Sequence, residues 1–405
     1  MRTARSPRDR RPAAQRTLLA PAVLATALLA TAAVGVMAGR PVAGLSAAKP
    51  TANQAAVEAR AVVSSQASPT TKKKTAKTPG WRVVAAIGPY NQAVTGRVAA
   101  GSAADAWSVW TGTSFTAVER LVGTRWSRVP LPARLNPYVR SAVAFGGYSP
   151  AGFWLFSSRS PTRALRFSGG KWTLQTIPSW VLRRGGPSAG GDLSAVSAVF
   201  GPGDVWLFSL NAGAYAAHYN GRGWTRVRLP AAPDEVSAVS PDDIWALHGN
   251  VAWHWNGRTW TATIVPKAAG SPPESFADLT ATGPRSVSVW RTILAPGPAT
   301  EVSVLSWNGA SWRRVAASAP ADLVDSVAPD GSGGLWATGV DINPGGFNLF
   351  YHLTAGRWTE VSPPKGIWDQ QPEYLTWIPG TRSLWGTATG LTNKGNYGVI
   401  IKYGP

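Results

Sequence analysis

The chain contains no cysteine. Disulfides, thiolate metal sites, a cysteine nucleophile and a cysteine-borne lipid are therefore excluded. Methionine and histidine are scarce, at two and four residues in 405, which leaves little to build a transition-metal cluster. Charged residues make up only 15% of the chain, with 20 acids against 40 Lys and Arg. What is abundant is Gly (43), Pro (33) and Trp (21). This length allows two or three ordinary domains or one large repeat domain.

The basic excess is unevenly placed. Residues 1–80 hold 13 Lys and Arg against Asp9 and Glu58, more than half of the net charge of +20. Beyond residue 80 no basic stripe carries interleaved stacking aromatics, so no nucleic-acid partner is expected. Arg2, Arg5, Arg8, Arg10, Arg11 and Arg16 precede an uncharged Ala/Leu/Val stretch, Leu18 to Ala38. A basic segment before an apolar one is the export pattern. Its 21 residues also match the length that spans a bilayer, about 20. Residues 1–38 are read as a signal peptide, with small residues for cleavage at Val36-Met37-Ala38, or as an uncleaved signal anchor. Either way the arginines stay inside. The rest is then extracellular, secreted or anchored to the outer side of the cytoplasmic membrane, and touches the membrane only through this helix. Residues 39–78 are rich in Ala, Ser, Thr, Pro and Lys, have almost nothing to bury, and read as a disordered linker.

From residue 79 onward the chain repeats one unit. An aromatic residue or Leu is followed five positions later by Trp in Leu121/Trp126, Phe167/Trp172, Tyr219/Trp224, Trp255/Trp260, Trp307/Trp312 and Leu353/Trp358. Between them lie turn residues such as Asn220-Gly221, Asn256-Gly257 and Asn308-Gly309. Asn-Gly between alternating runs is a strong hairpin signal, because both residues accept positive φ. Upstream of each hairpin stands a second mark, a small or acidic residue, an apolar residue and Trp. It reads Asp105-Ala106-Trp107, Gly152-Phe153-Trp154, Asp204-Val205-Trp206, Asp243-Ile244-Trp245, Gly334-Leu335-Trp336 and Ser383-Leu384-Trp385. The fifth unit departs, with Ser286-Val287-Ser288.

Each unit then holds four strands, placed in the fourth unit at about 236–240, 243–248, 251–256 and 259–265. From Trp81 to Trp358 is 277 residues over six intervals, about 46 each, the period of a β-propeller blade. The expected fold over 79–405 is all-β, a seven-bladed propeller of four-stranded antiparallel blades. The last unit runs out of chain after its third strand, and Trp81 followed by Pro89 supplies the missing fourth, so the N-terminal strand is expected to close the ring and remove its open edge. Thirteen of the 21 Trp occupy repeat slots and are expected in the core.

The unit Asp243-Ile244-Trp245 followed by Trp255-Asn256-Gly257-Arg258-Thr259-Trp260 resembles secreted bacterial β-propellers with Asp-box or kelch-like repeats, and also tectonin repeats. The leading Ser of an Asp-box is absent, and Asn220, Asn256 and Asn308 stand near its Asp slot. The tectonin resemblance implies carbohydrate binding.

No phosphate-cradling Gly loop, zinc spacing or nucleophile elbow is present. Glu119, Glu235, Glu274, Glu301 and Glu360 show no pair placed for glycoside hydrolysis. No catalytic residue, metal ligand or cofactor is assigned. His218, His254 and His352 occupy one third-strand slot on separate blades and cannot converge; they read as a structural slot bonded to the preceding Asp (Asp204, Asp243). His248 has no evident partner.

Function is then expected in loops of irregular length, including 179–194, 291–300, 341–348, 365–374 and 388–397. The expected ligand-binding residues are Trp180, Arg183, Arg184, Trp368, Asp369 and Tyr374, on two long loops that could face each other across the channel mouth. Three function classes follow: an exported non-catalytic propeller that binds a glycan or cell-envelope polymer, a membrane-anchored scaffold for a protein partner, and a propeller-type lyase or hydrolase.

Overall fold

A computed structural model describes residues 80–88, 94–159, 163–182, 194–270, 273–293, 301–316, 323–340, 348–364, 372–392 and 395–405. These form seven sheets of four antiparallel strands. The innermost strands are Val94–Ser102, Ala142–Ser149, Ala195–Gly201, Glu235–Ser240, Glu274–Gly283, Leu323–Pro329 and Pro372–Trp377. Each touches the next, and the last touches the first, so the seven sheets are the blades of one propeller around an axial channel. Blades are numbered one to seven in that order.

Blade four shows how the sequence sets the unit. Its strands are Glu235–Ser240, Asp243–His248, Val251–Trp255 and Trp260–Ile264, within one or two residues of the expected bounds. In the last hairpin Gly257 has φ 87°, a conformation that costs other residues strain. Asn256 Oδ1 accepts from the backbone N–H groups of Arg258 and Thr259 at 3.0 and 2.9 Å. Asn220 and Asn308 do the same in blades three and five. The amide side chain thus replaces the backbone partners that the turn removes.

The two Trp slots behave differently. Trp107, Trp154, Trp206, Trp245, Trp336 and Trp385, on second strands, are at most 4% exposed. Each lies between its own blade and the inner strands of the next, as Trp245 does against Leu279 and Ala281. The hairpin tryptophans reach back toward the preceding blade. Trp126 meets Trp385 edge-on at 5.3 Å, and Trp81 meets Trp336 in the same way. Of these, Trp126, Trp172, Trp224, Trp260 and Trp358 are only partly buried. The expectation of thirteen core tryptophans is corrected accordingly, because a ring on the outermost strand has cover from one neighbour and water beyond.

The histidine slot carries a recurring triad. His218, His254 and His352 lie 2.9, 2.9 and 3.0 Å from Asp204, Asp243 and Asp330. Each imidazole also stacks on the buried Trp of its own blade, with centroids 4.4, 4.4 and 4.2 Å apart. His248 has a partner after all, Asp234 at 3.3 Å. In blade one the slot holds Arg120, which instead donates to the carbonyl of Pro150 at 2.9 Å. Asp105, 4% exposed, is left without an imidazole. Burial pushes its carboxyl up to about 7, against a smaller lowering by Trp107.

Between blades seven and one, Thr376 and Thr387 donate to the carbonyls of Val98 and Gly96 at 2.8 and 2.7 Å. Trp110 is fully buried at this seam, where a Cβ on either Gly96 or Gly398 would collide with its ring. The strand Trp81–Ile87 runs antiparallel to Gly395–Tyr403, with Trp81 opposite Tyr403. Four expected loops are partly strand: Ser286–Ile293 includes Arg291, Asn348–Thr354 begins at Asn348, Pro372–Trp377 includes Tyr374, and Leu384–Thr392 and Gly395–Tyr403 take up most of 388–397, with Tyr397. Arg291 is 6% exposed and donates to Ser303 Oγ at 3.1 Å. No described helix is long and apolar enough to cross a membrane, and residues 1–79 lie outside the described residues.

Candidate functional site

All seven innermost strands contribute to a cavity on the propeller axis, lined by Arg97, Ser197, Glu235, Asp278, Ser326 and Tyr374 among others. Its volume is about 20 Å³, room for roughly one water molecule. The channel between the described residues is thus plugged by side chains.

The charges in this lining are separated. Arg97 of blade one lies over the ring of Tyr374 of blade seven, 4.9 Å from its centroid, a cation–π contact between adjacent inner strands. Across the axis, blades four and five contribute Glu235 and Asp278. Asp278 has φ 49° and sits in a register irregularity between Ala277 and Thr280. Asp tolerates this left-handed conformation better than most residues. The Glu235 carboxyl is held well above the usual carboxylate range, first by burial and then by the negative charges of Asp278 and Asp234. Asp234 is engaged by His248 and by the N–H of Gly249 at 2.8 Å. In this lining Ser197 Oγ is buried without a protein hydrogen-bond partner, the state of groups that hold water or a ligand.

The sequence reading finds no paired carboxylates; the structure brings Glu235 and Asp278 close enough to raise the former. They escaped because 43 residues separate them in the chain and only the ring geometry joins them. The residue at the same level in each inner strand was the available signal, and Arg97 could have been found in that way too.

Of the expected ligand residues, Tyr374 lines the axial cavity and Trp180 does not. Trp180 follows the outermost strand of blade two and packs on blade three. Its ring lies 6.2 Å from that of Tyr215, its carbonyl accepts from the Tyr215 hydroxyl at 2.8 Å, and Arg226 covers it at 4.8 Å. The next residues, Val181 and Leu182, are buried. Arg183, Arg184, Trp368 and Asp369 lie outside the described residues. Among the described residues no group of His, Asp and Glu could hold a metal ion.

No protein-family profile matches the sequence, and no curated protein does. Among solved structures, the chain is similar to YCF48 bound to D1 peptide, at 12% identity and a TM-score of 0.49, over 81% of this chain and 95% of that one. It is similar to YCF48 from Cyanidioschyzon merolae at 15% identity and a TM-score of 0.47, over 80% and 99%. A six-bladed fungal lectin from Aleuria aurantia, with a fucose recognition mode, follows at 11% identity and 0.38, over 68% and 96%.

Proposed function

We propose that the protein is an exported, non-catalytic β-propeller that binds a glycan or another cell-envelope component. The binding face is the one bearing the loops 179–194 and 365–374, with Trp180, Arg183, Arg184, Trp368, Asp369 and Tyr374. One observation carries this reading. The polar groups converge on a channel closed down to about 20 Å³, which is far below the roughly 300 Å³ at which ligand-enclosing pockets begin. Such a mouth grips a projecting group. Arg97 and Tyr374 offer a cation and an aromatic face, and Glu235 and Asp278 offer hydrogen-bonding oxygens opposite. These suit a polar ligand that carries hydroxyls and charge. The surface equally serves as a platform for a protein partner, the nearest alternative.

The test is capture of envelope polymers and a glycan panel by the purified protein. Arg97→Ala and Tyr374→Ala are expected to abolish capture while the melting temperature stays near that of the parent. Capture of proteins alone would select the scaffold reading. For export, protease added to intact protoplasts is expected to degrade the chain from Gly39 onward, and full protection there would sink the topology.

The Glu235–Asp278 pair favours a second reading, a lyase or hydrolase in which Glu235 donates a proton. Bond cleavage in captured polymer that disappears in Glu235→Gln would select it.

A further inference from the structure

Blade five breaks the repeat at three coupled positions. Where blade four carries Asp243, Trp245 and His254, blade five carries Ser286, Ser288 and Ser306. The register is the same, with Trp245 opposite His254 and Ser288 opposite Ser306. In the six other blades the middle position is Trp, and its indole fills the space against the next blade. Ser288 leaves that space open. Aromatic mass is supplied two residues later by Trp290, which packs on Val327, Leu335 and Ala337 of blade six, and Trp358 folds back onto it at 5.5 Å. One end of the seam is therefore filled and the other is not.

The opening is a cleft of about 140 Å³ between blades five and six. Hydroxyls of Thr280, Ser286, Ser288 and Ser306 line one side, with Trp307, and Leu335 of blade six lies opposite. Ser288 and Ser306 hydrogen-bond each other at 2.7 Å. Thr280 Oγ1 is buried without a protein partner, in a residue only 6% exposed. No lining residue is ionisable.

We propose that this cleft binds a neutral pyranose ring. Size admits a single ring, since a cavity near 150 Å³ accommodates benzene, and the cleft is open on one side, where part of the ring's substituents would stay in solvent. Lining chemistry selects its substituents. Serine and threonine hydroxyls both donate and accept, as sugar hydroxyls do, and the unpaired Thr280 oxygen gains a partner only from a polar ligand. Val315 and Leu335 give the lining its apolar surface, which a ring face needs. The absence of charge in the lining disfavours an anionic ligand, which would lose its hydration uncompensated. The cleft opens beside the first-to-second strand turn of blade six, at Pro329 and Gly333, which is the face opposite the starts of the inner strands Ala195–Gly201 and Pro372–Trp377. It does not depend on the channel-mouth reading, and its failure leaves that reading standing.

The experiment titrates the full chain with methyl glycosides of glucose, galactose, mannose, fucose and N-acetylglucosamine, read by saturation-transfer NMR and by tryptophan fluorescence. At least one is expected to bind saturably. Ser288→Trp, which restores the residue of the other blades, is expected to abolish binding without lowering the melting temperature. Thr280→Val is expected to weaken it about tenfold, and together with Ser306→Ala it decides the matter if the Trp variant does not fold. Absence of binding at millimolar glycoside overturns the assignment and leaves the cleft to a few waters. So does binding that survives Ser288→Trp and is lost in Arg97→Ala, which would place the sugar at the channel mouth.

Discussion

Trp245 and His254 stack with ring centroids 4.4 Å apart and planes 18° apart, while Asp243 holds the imidazole from its other side at 2.9 Å. The carboxylate fixes the ring, and the ring covers the indole that packs against blade five. Trp245→Ala is expected to cost about 3–5 kcal/mol, the usual range for a buried large aromatic. Trp260→Ala removes a ring already partly in water and is expected to cost roughly half as much. Urea unfolding of both variants checks this; equal losses would contradict the division of the tryptophans into two classes.

Asp105 and Asp330 are expected to give opposite pH dependences. Asp105 titrates at about 7 in the folded chain and near 3.9 unfolded. The folded state therefore binds the extra proton, and stability falls as pH rises from about 4 through 7. Asp105→Asn is expected to flatten that decline and to stabilise the protein above pH 7. Burial raises Asp330 too, but hydrogen bonds from His352, Ser332 and Gly334 override it and leave the carboxyl at about 2. Its contribution is complete above about 4 and lost as pH falls toward 2, so Asp330→Asn is expected to destabilise at pH 7 and to lose that effect in acid. Melting temperatures from pH 2 to 9 decide both.

Deleting residues 79–90 is expected to unfold or aggregate the protein. It removes the strand Trp81–Ile87 from Gly395–Tyr403 and bares an edge that templates pairing with another chain. A truncated chain that melts like the parent would show that the ring does not need this strand.

The paired variant Trp180→Ala with Trp368→Ala tests the two long loops. Loss of capture at an unchanged melting temperature would make them ligand platforms. The contacts of Trp180 with Tyr215 and Arg226 let a fall in melting temperature measure its packing role separately.

The architecture was legible because each blade writes the same few devices into local sequence. Asn-Gly fixes a hairpin, and the Trp five residues after an aromatic pairs with it across that turn, as Tyr219 does with Trp224. These are short-range relations, so spacing reveals them. The bonds of His218 to Asp204 and of His254 to Asp243 were legible too, since both residues lie on neighbouring strands of one blade, whereas Asp330 and Asp234, just outside the strands, were not. The exposure of Trp260 was not, because cover comes from a different blade. Nor, beyond Tyr374, was the axial lining: Arg97, Glu235 and Asp278 come from three other blades, and only their matching level on the inner strands hints that they meet. The fifth unit stood out as Ser286-Val287-Ser288, but a missing Trp reads in sequence as a lapse of the repeat and only in space as an opening.

That opening has a mechanical consequence. A ring under thermal strain parts at its weakest joint, and six joints are clamped by an indole in the same slot, where the seventh holds Trp290 at one end and serine hydroxyls around a hollow at the other. Breathing of the propeller should begin between blades five and six, so amide protons of Leu323–Pro329 and Trp312–Ala316 are expected to exchange with solvent before those of blades three and four. A sugar ring seated there would act as a removable wedge, and slower exchange along that one joint would be its signature.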